Sequence, residues 1–80
     1  MKGETKMWQT IIVNVSGIKY VAYIKQYDEG SQYGINGGRI SKLQIKEGDK
    51  TVVNYDRGWD IEPETIQQEA ALETILGGWN

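Results

Sequence analysis

Two runs of β-branched and aromatic residues, over residues 7–15 and 18–27, are separated only by the dipeptide Ser16-Gly17. A two-residue connection between such runs is typical of a β-hairpin, because the turns that fit it match the twist of the flanking strands. The turn also sets the register and places Val15 opposite Ile18. The sequence therefore predicts an antiparallel hairpin whose side chains can be assigned to two faces.

One face of this hairpin is almost entirely apolar and is the expected core face. It holds Gln9, Ile11, Val13, Val15, Ile18, Tyr20, Ala22 and Ile24. The opposite face mixes apolar, polar and basic side chains, and it holds Trp8, Thr10, Ile12, Asn14, Lys19, Val21, Tyr23 and Lys25. Successive side chains of a strand point to opposite faces, so this division follows from the register alone.

Two further strands are expected, over residues 39–46 and 50–56. Ile and Val together number 15 against three Leu, an imbalance that favours strands over helices. In the third strand, alternation places Leu43 on one face and Ile40, Lys42, Gln44 and Lys46 on the other, and the two lysines are expected on the same face as Lys19 and Lys25. Asn36-Gly37 is a strong hairpin-turn signal.

The last part of the chain is predicted to be helical. Pro63 suits the first helical position and carboxylates lie around it, where the helix dipole favours negative charge. Gly77-Gly78 is expected to end the helix. An apolar stripe is expected from residues spaced by three and four, namely Ile61, Thr65, Gln68, Leu72, Ile75, Leu76 and Trp79.

The predicted fold class is α+β, a four-stranded antiparallel β-meander with one C-terminal helix packed on one face. Residues 1–6 are expected to form a loose N-terminus, and residues 7–80 a single small domain. No apolar run is long enough to span a membrane or to serve as a signal peptide, so a cytoplasmic protein is expected.

Missing residue types narrow the chemistry that the chain can perform. The 80 residues include no His and no Cys, which excludes an imidazole base, a thiol nucleophile, disulfides and ordinary zinc sites. Acid–base chemistry would need carboxylates, Lys or Tyr. We therefore expect a protein that is not an enzyme and has no catalytic residue, cofactor or metal, with carboxylate-based chemistry as the exception.

Charge is unevenly distributed along the chain, although the formal net charge is only −2. Residues 1–55 carry eight basic and five acidic residues, and residues 56–80 carry one basic and six acidic residues. The simplest interpretation is a basic sheet and an acidic helix, each with a charged face exposed to solvent. Their opposite charges help the helix to dock on the sheet.

A single helix covers one face of a sheet and leaves the other open. Exposed apolar surface on that face favours an interface, and self-association as a homodimer is expected. Base stacking with Lys–phosphate contacts is the alternative, although the low net charge makes nucleic acid a less expected partner. A third possibility is that another segment covers the face, or that the two faces are reversed.

Two stretches stand out beyond the strand and helix pattern. They are YDEGSQYGINGGRISKL over residues 27–43 and YDRGWD over residues 55–60. Together they resemble a family of short uncharacterised proteins, a domain of unknown function from Gram-positive bacteria and their phages. The resemblance implies a compact α+β protein, and phage or prophage origin. It implies no activity, substrate or site residue.

The residues of these stretches allow a structural role and several functional ones. Glycines permit close backbone approach, and Arg39 or Arg57 can pair with nearby carboxylates under Trp59. The oxygen-bearing side chains can alternatively hold a hard cation, although their spacing matches no calcium loop; these are Asp28, Glu29, Asn36, Asp56 and Asp60. A protein-recognition loop is the remaining possibility, because Tyr, Trp and Arg dominate binding energy at interfaces.

The sequence thus predicts a small interaction module with an unknown protein partner and no membrane association. The candidate interaction residues are Trp8, Val21, Tyr23, Tyr33, Arg39, Arg57 and Trp59.

Overall fold

The structure, a computed structural model, describes residues 8–80. Five strands form one antiparallel sheet in chain order, and a helix follows them. The elements are β1 (Gln9–Val15), β2 (Ile18–Gln26), β3 (Ile40–Glu47), β4 (Lys50–Asp56), β5 (Trp59–Ile61) and α1 (Ile66–Trp79). The expected α+β class with an antiparallel sheet and one C-terminal helix is confirmed. The loose terminus expected over residues 1–6 lies outside the described residues.

The first hairpin has the predicted turn and register. Ser16 and Gly17 both have positive φ, at 50° and 80°, as a two-residue type I′ turn requires. Val15 lies opposite Ile18, and the pairing continues without interruption to Gln9 opposite Ile24. The apolar face of the hairpin is the core face, as predicted.

The prediction for Ile40 was wrong because the β2–β3 ladder contains a bulge. Lys25 lies opposite Lys42, but the next residue of β2, Gln26, lies opposite Ile40. Ser41 is therefore an extra residue, and its hydroxyl donates to the carbonyl of Lys25 at 3.2 Å. The bulge reverses the alternation and turns Ile40 into the core, where it is fully buried.

A fifth strand corrects the expected four-stranded sheet. β4 has the predicted bounds, but the chain then turns through Arg57, whose φ is 57°, and pairs again as β5. The turn is closed by the amide of Asp56, which donates to the carbonyl of Gly58 at 2.9 Å. β5 has only three residues, too few to show the alternation that identifies a strand in a sequence.

The helix begins and ends later than predicted. It starts at Ile66, because Thr65 is the N-cap and its hydroxyl accepts the amide of Gln68 at 3.0 Å. Pro63 therefore precedes the helix. The helix also continues through Gly77 and Gly78 to Trp79. The residues after these glycines are held in place, since the Trp79 carbonyl accepts from the Gln26 side chain and the Asn80 side chain accepts from the Ile40 amide.

Residues 27–39 connect β2 to β3 and close the core beside the helix. Asn36 and Gly37 have the expected positive φ, but they form part of a single 3-10 turn inside this long connection and not a two-residue hairpin. Ile35 is buried, and the Tyr55 hydroxyl donates to the Tyr33 carbonyl at 2.9 Å. The core thus has a sheet on one side and α1 together with the 27–39 connection on the other.

Within residues 8–80, the helix falls short of the length and apolar content needed to cross a membrane.

Candidate functional site

The sheet face opposite α1 is left uncovered in the described part of the chain, as predicted. We call it the open face. It consists of Trp8, Thr10, Ile12, Asn14, Lys19, Val21, Tyr23, Lys25, Lys42, Gln44, Lys46, Thr51, Asn54, Asp56 and Ile61. Trp8 is 47% exposed and Ile12 is 57% exposed, whereas Ile11 is buried on the core face.

Beyond the Asn14–Lys19 pair next to the first turn, the strand register arranges the open face in three rows that run across the sheet. The first row is Ile12, Val21, Lys46 and Thr51. The second row is Thr10, Tyr23, Gln44, Asn54 and Ile61. The third row is Lys25, Lys42 and Asp56, with Trp8 beside Lys25. Apolar and aromatic side chains therefore lie mainly on β1 and β2, and the amide and basic groups lie mainly on β2 and β3.

Lys25 and Lys42 lie directly opposite each other in neighbouring strands. Like charges in this position destabilise a sheet. The Lys25 ammonium has a favourable neighbour on its outer side, since its Nζ lies 5.1 Å from the centre of the Trp8 ring. On the other side of the pair, Asp56 is the register partner of Lys42. The row thus keeps two cations together between an aromatic ring and a carboxylate.

A shallow groove of about 460 Å³ lies beside this row. It is lined by Trp8, Thr10, Tyr23, Gln44 and Lys46. The Gln44 amide nitrogen donates to the Thr51 hydroxyl at 3.1 Å and so fixes the Gln44 side chain in the groove wall. Two aromatic rings, a hydroxyl, an amide and an ammonium therefore meet in one concave surface.

The open face is strongly biased towards positive charge. It carries Lys19, Lys25, Lys42 and Lys46 against Asp56 alone. These four lysines were predicted on this face, whereas the contribution of Gln44 to the groove was not. Its position depends on the β2–β3 register, which no short turn sets, because residues 27–39 separate the two strands.

Four of the predicted interaction residues lie elsewhere. Trp59 packs edge-on against Tyr55 with ring centres 5.0 Å apart, and Tyr33 is joined to Tyr55 through its carbonyl. Arg39 Nε donates to the Tyr27 carbonyl at 3.1 Å. The Arg57 amide donates to the Ser41 carbonyl at 3.0 Å. The carboxylate partners expected for the two arginines stay a prediction.

The carboxylates do not gather into a metal-binding cluster in the described part of the chain. No group of three or more Asp and Glu side chains is placed there to hold a metal ion. The oxygen ligands considered for a hard cation, which include Asp28, Glu29 and Asp60, therefore do not form such a set.

The chain belongs to a family described as a domain of unknown function, DUF7678, whose model matches residues 7–80. This confirms the expected resemblance to uncharacterised proteins. Comparisons with curated proteins and with solved structures gave no match. The family description assigns no activity to the open face.

Proposed function

We propose that the protein is a non-enzymatic binding module whose open face holds a single strand of nucleic acid. The observation that carries this proposal is the Lys25–Lys42 pair, set beside the groove between Trp8 and Tyr23. A phosphate group between the two ammonium groups replaces their repulsion with two attractive contacts. A bound anion therefore relieves the like-charge repulsion within this pair.

The aromatic side chains support a base as well as a phosphate. Bases of a single strand stack on exposed aromatic rings, and every base offers a ring face for this contact. Trp8 is about half exposed, and Tyr23 lines the same groove. Thr10 and Gln44 bring hydrogen-bonding groups to the groove wall. A strand lying across β1, β2 and β3 thus meets aromatic, polar and basic groups in turn.

The form of the surface favours a single strand over a duplex. Recognition of a duplex by base edges uses an element that enters a groove, whereas an open antiparallel sheet with aromatic side chains presents a platform for unpaired bases. The net charge of −2 does not oppose this proposal, because the acidic residues of α1 lie on the other side of the sheet.

The test compares two lysines that carry the same charge in different places. Lys42 lies beside Lys25 in the third row of the open face, and Lys50 lies at the exposed start of β4 opposite Glu47. Binding of a single-stranded DNA oligonucleotide is measured by fluorescence anisotropy over a series of salt concentrations. We expect Lys42→Gln to weaken binding and to lower the log–log salt slope by about one, since one phosphate contact is lost.

Lys50→Gln is expected to leave both the affinity and the salt slope close to those of the wild type. Absence of binding by the wild type at low salt contradicts the proposal. An equal effect of the two lysine substitutions also contradicts it, because a general charge effect would then replace a site.

Self-association through the open face is the second candidate, favoured by the Ile12–Val21 pair, in which Ile12 is exposed and Val21 is half-buried. It ranks second because each of two copies packed face to face brings four lysines to the contact, and these like charges repel one another. For this candidate, Val21→Lys is expected to convert a dimer into a folded monomer in sedimentation experiments, since it buries an unpaired ammonium in each copy. A wild-type monomer, or a dimer that survives Val21→Lys, contradicts it.

Phage or prophage origin is proposed on the family resemblance alone. Phage genes beside the gene for this chain support it, and host metabolic genes on both sides contradict it.

A further inference from the structure

The free edge of β1 differs from every other strand border of the described sheet. β1 lies at one edge and β5 at the other. β5 is protected, because it has three residues, includes Asp60 and pairs through a bulge. β1 has seven residues, QTIIVNV, with no charge, no Pro and no Gly, and it pairs with β2 without a bulge. An edge of this kind is a template for another strand.

The turn determines which backbone groups of β1 face outward. In a two-residue hairpin, the residues that flank the turn exchange hydrogen bonds, and such pairs then alternate with non-hydrogen-bonded pairs. Val15 and Ile18 flank the turn, so Gln9, Ile11 and Val13 also bond to β2. The amides and carbonyls of Thr10, Ile12 and Asn14 therefore point away from β2, toward the free edge.

We propose that a second copy of this chain pairs with that edge, strand β1 against strand β1, in an antiparallel two-fold dimer with one continuous ten-stranded sheet. The sequence of β1 is complementary to itself in this arrangement. With Ile12 on the two-fold axis, Thr10 meets Asn14 of the other copy, and Ile11 meets Val13. On the open face, Thr10 thus meets Asn14 and Ile12 meets its own copy, while on the core face Ile11 meets Val13 and Gln9 meets Val15 at the two ends of the pairing.

Burial along β1 agrees with this pairing. Val13 and Val15 are on the core face but only half buried, because the sheet ends beside them. Ile12 is 57% exposed at the centre of the free edge. A paired strand covers all three side chains, and no charged group of β1 has to be desolvated. The two-fold axis runs perpendicular to the sheet, so the two open faces lie side by side on the same surface.

The experiment uses the amide group of Ile12. Proline at this position removes the outward N–H and is tolerated at a sheet edge, since no bond to β2 is lost. We expect the wild type to sediment as a dimer and Ile12→Pro to raise its dissociation constant about tenfold or more, because two hydrogen bonds at the axis are lost. Ile12→Thr keeps the N–H and the β-branched shape, and is expected to remain dimeric.

Amide hydrogen exchange of the wild type tests the same pairing without a substitution. Thr10, Ile12 and Asn14 are expected to exchange more slowly as the protein concentration rises, because their amides become bonded only in the dimer. A wild-type monomer at all concentrations overturns the proposal. So does a dimer that leaves these three amides unprotected, or one that Val21→Lys dissolves while Ile12→Pro does not, because the open face is then the interface.

Discussion

Asn80, directly after α1, forms hydrogen bonds with the backbone of three residues in or next to the 27–39 connection. Its side-chain nitrogen donates to the Ile35 carbonyl at 2.9 Å, and its side-chain oxygen accepts the Ile40 amide at 3.0 Å. Its backbone oxygen accepts the Arg39 amide at 3.2 Å. The connection from β2 to β3 is therefore fastened to the end of α1. Gly38 lies directly against the Asn80 side chain, which occupies the space that a Cβ atom would need.

The buried Tyr20 side chain gives the stability a dependence on alkaline pH. Burial raises the pKa of Tyr20 above 10.0, and the neighbouring Glu47 carboxylate raises it further. The unfolded chain therefore loses this proton first as the pH rises through about 10, so the stabilising contribution is present below that pH and is lost above it. Burial also raises the pKa of Tyr55 and adds to the same trend.

We expect Tyr20→Phe to lose less unfolding free energy than the wild type between about pH 8 and pH 11, as measured by urea unfolding. Tyr33→Phe is the control, because the Tyr33 side chain is 56% exposed. A pH dependence that is the same in Tyr20→Phe and in the wild type contradicts this account.

The need for glycine in the 27–39 connection could be predicted from the sequence, but the contact of this connection with Asn80 could not. Gly34 and Gly38 approach other backbone or side-chain atoms too closely for any Cβ atom, and Gly37 has a φ of 73°. Those requirements can be inferred from a cluster of glycines. The contact with Asn80 brings together residues about 40 positions apart, and no local pattern of residue types records it.

At the scale of elements, α1 is held mainly by the side chains that it buries. Leu72 and Ile75 are buried against the core that β1, β2 and β3 form. We expect Leu72→Ala to lower the free energy of unfolding by about 2–5 kcal/mol, because it removes buried methyl groups and leaves a cavity.

Ile66→Ala is the matched control for Leu72→Ala. Ile66 is the first helical residue and is 80% exposed, so its loss is expected to change the stability by about 0.5 kcal/mol or less. The measurement is urea unfolding of both variants. A loss below about 0.5 kcal/mol for Leu72→Ala means that the helix does not pack where the structure has it.

Local signals determined which elements could be predicted. The β1–β2 register followed from Ser16-Gly17, and β4 was predicted with its observed bounds, residues 50–56. The bulge at Ser41 and the short strand β5 depend on pairing with distant strands, so alternation within the chain does not reveal them. Gly77 and Gly78 signal a helix end, but the hydrogen bonds of Gln26 and Asn80 near the helix end outweigh that signal.

At the scale of the whole molecule, positive and negative charge lie on opposite sides of the sheet. The open face carries four lysines against one aspartate, and α1 exposes Glu69 and Glu73 on the other side. A partner with negative charge is therefore attracted to one side and repelled by the other. A net charge of −2 conceals this polarity.

The open face itself could be predicted because period-two alternation assigns Trp8, Val21 and Tyr23 to one side of a hairpin. The row that places Lys25 beside Lys42 could not be predicted, because it depends on the register across the long 27–39 connection. Its Lys pair is the feature on which the proposed function depends.

The most direct test of that function is a titration of isotope-labelled protein with a single-stranded DNA oligonucleotide, followed by the NMR shifts of the backbone amides. We expect shifts that are largest around the groove, at Thr10, Tyr23, Gln44 and Lys46, and that shrink as salt is added. The amide resonances of α1 are not expected to shift. An absence of shifts at low salt, or shifts confined to α1 or to residues 27–39, would contradict a nucleic-acid role for the open face.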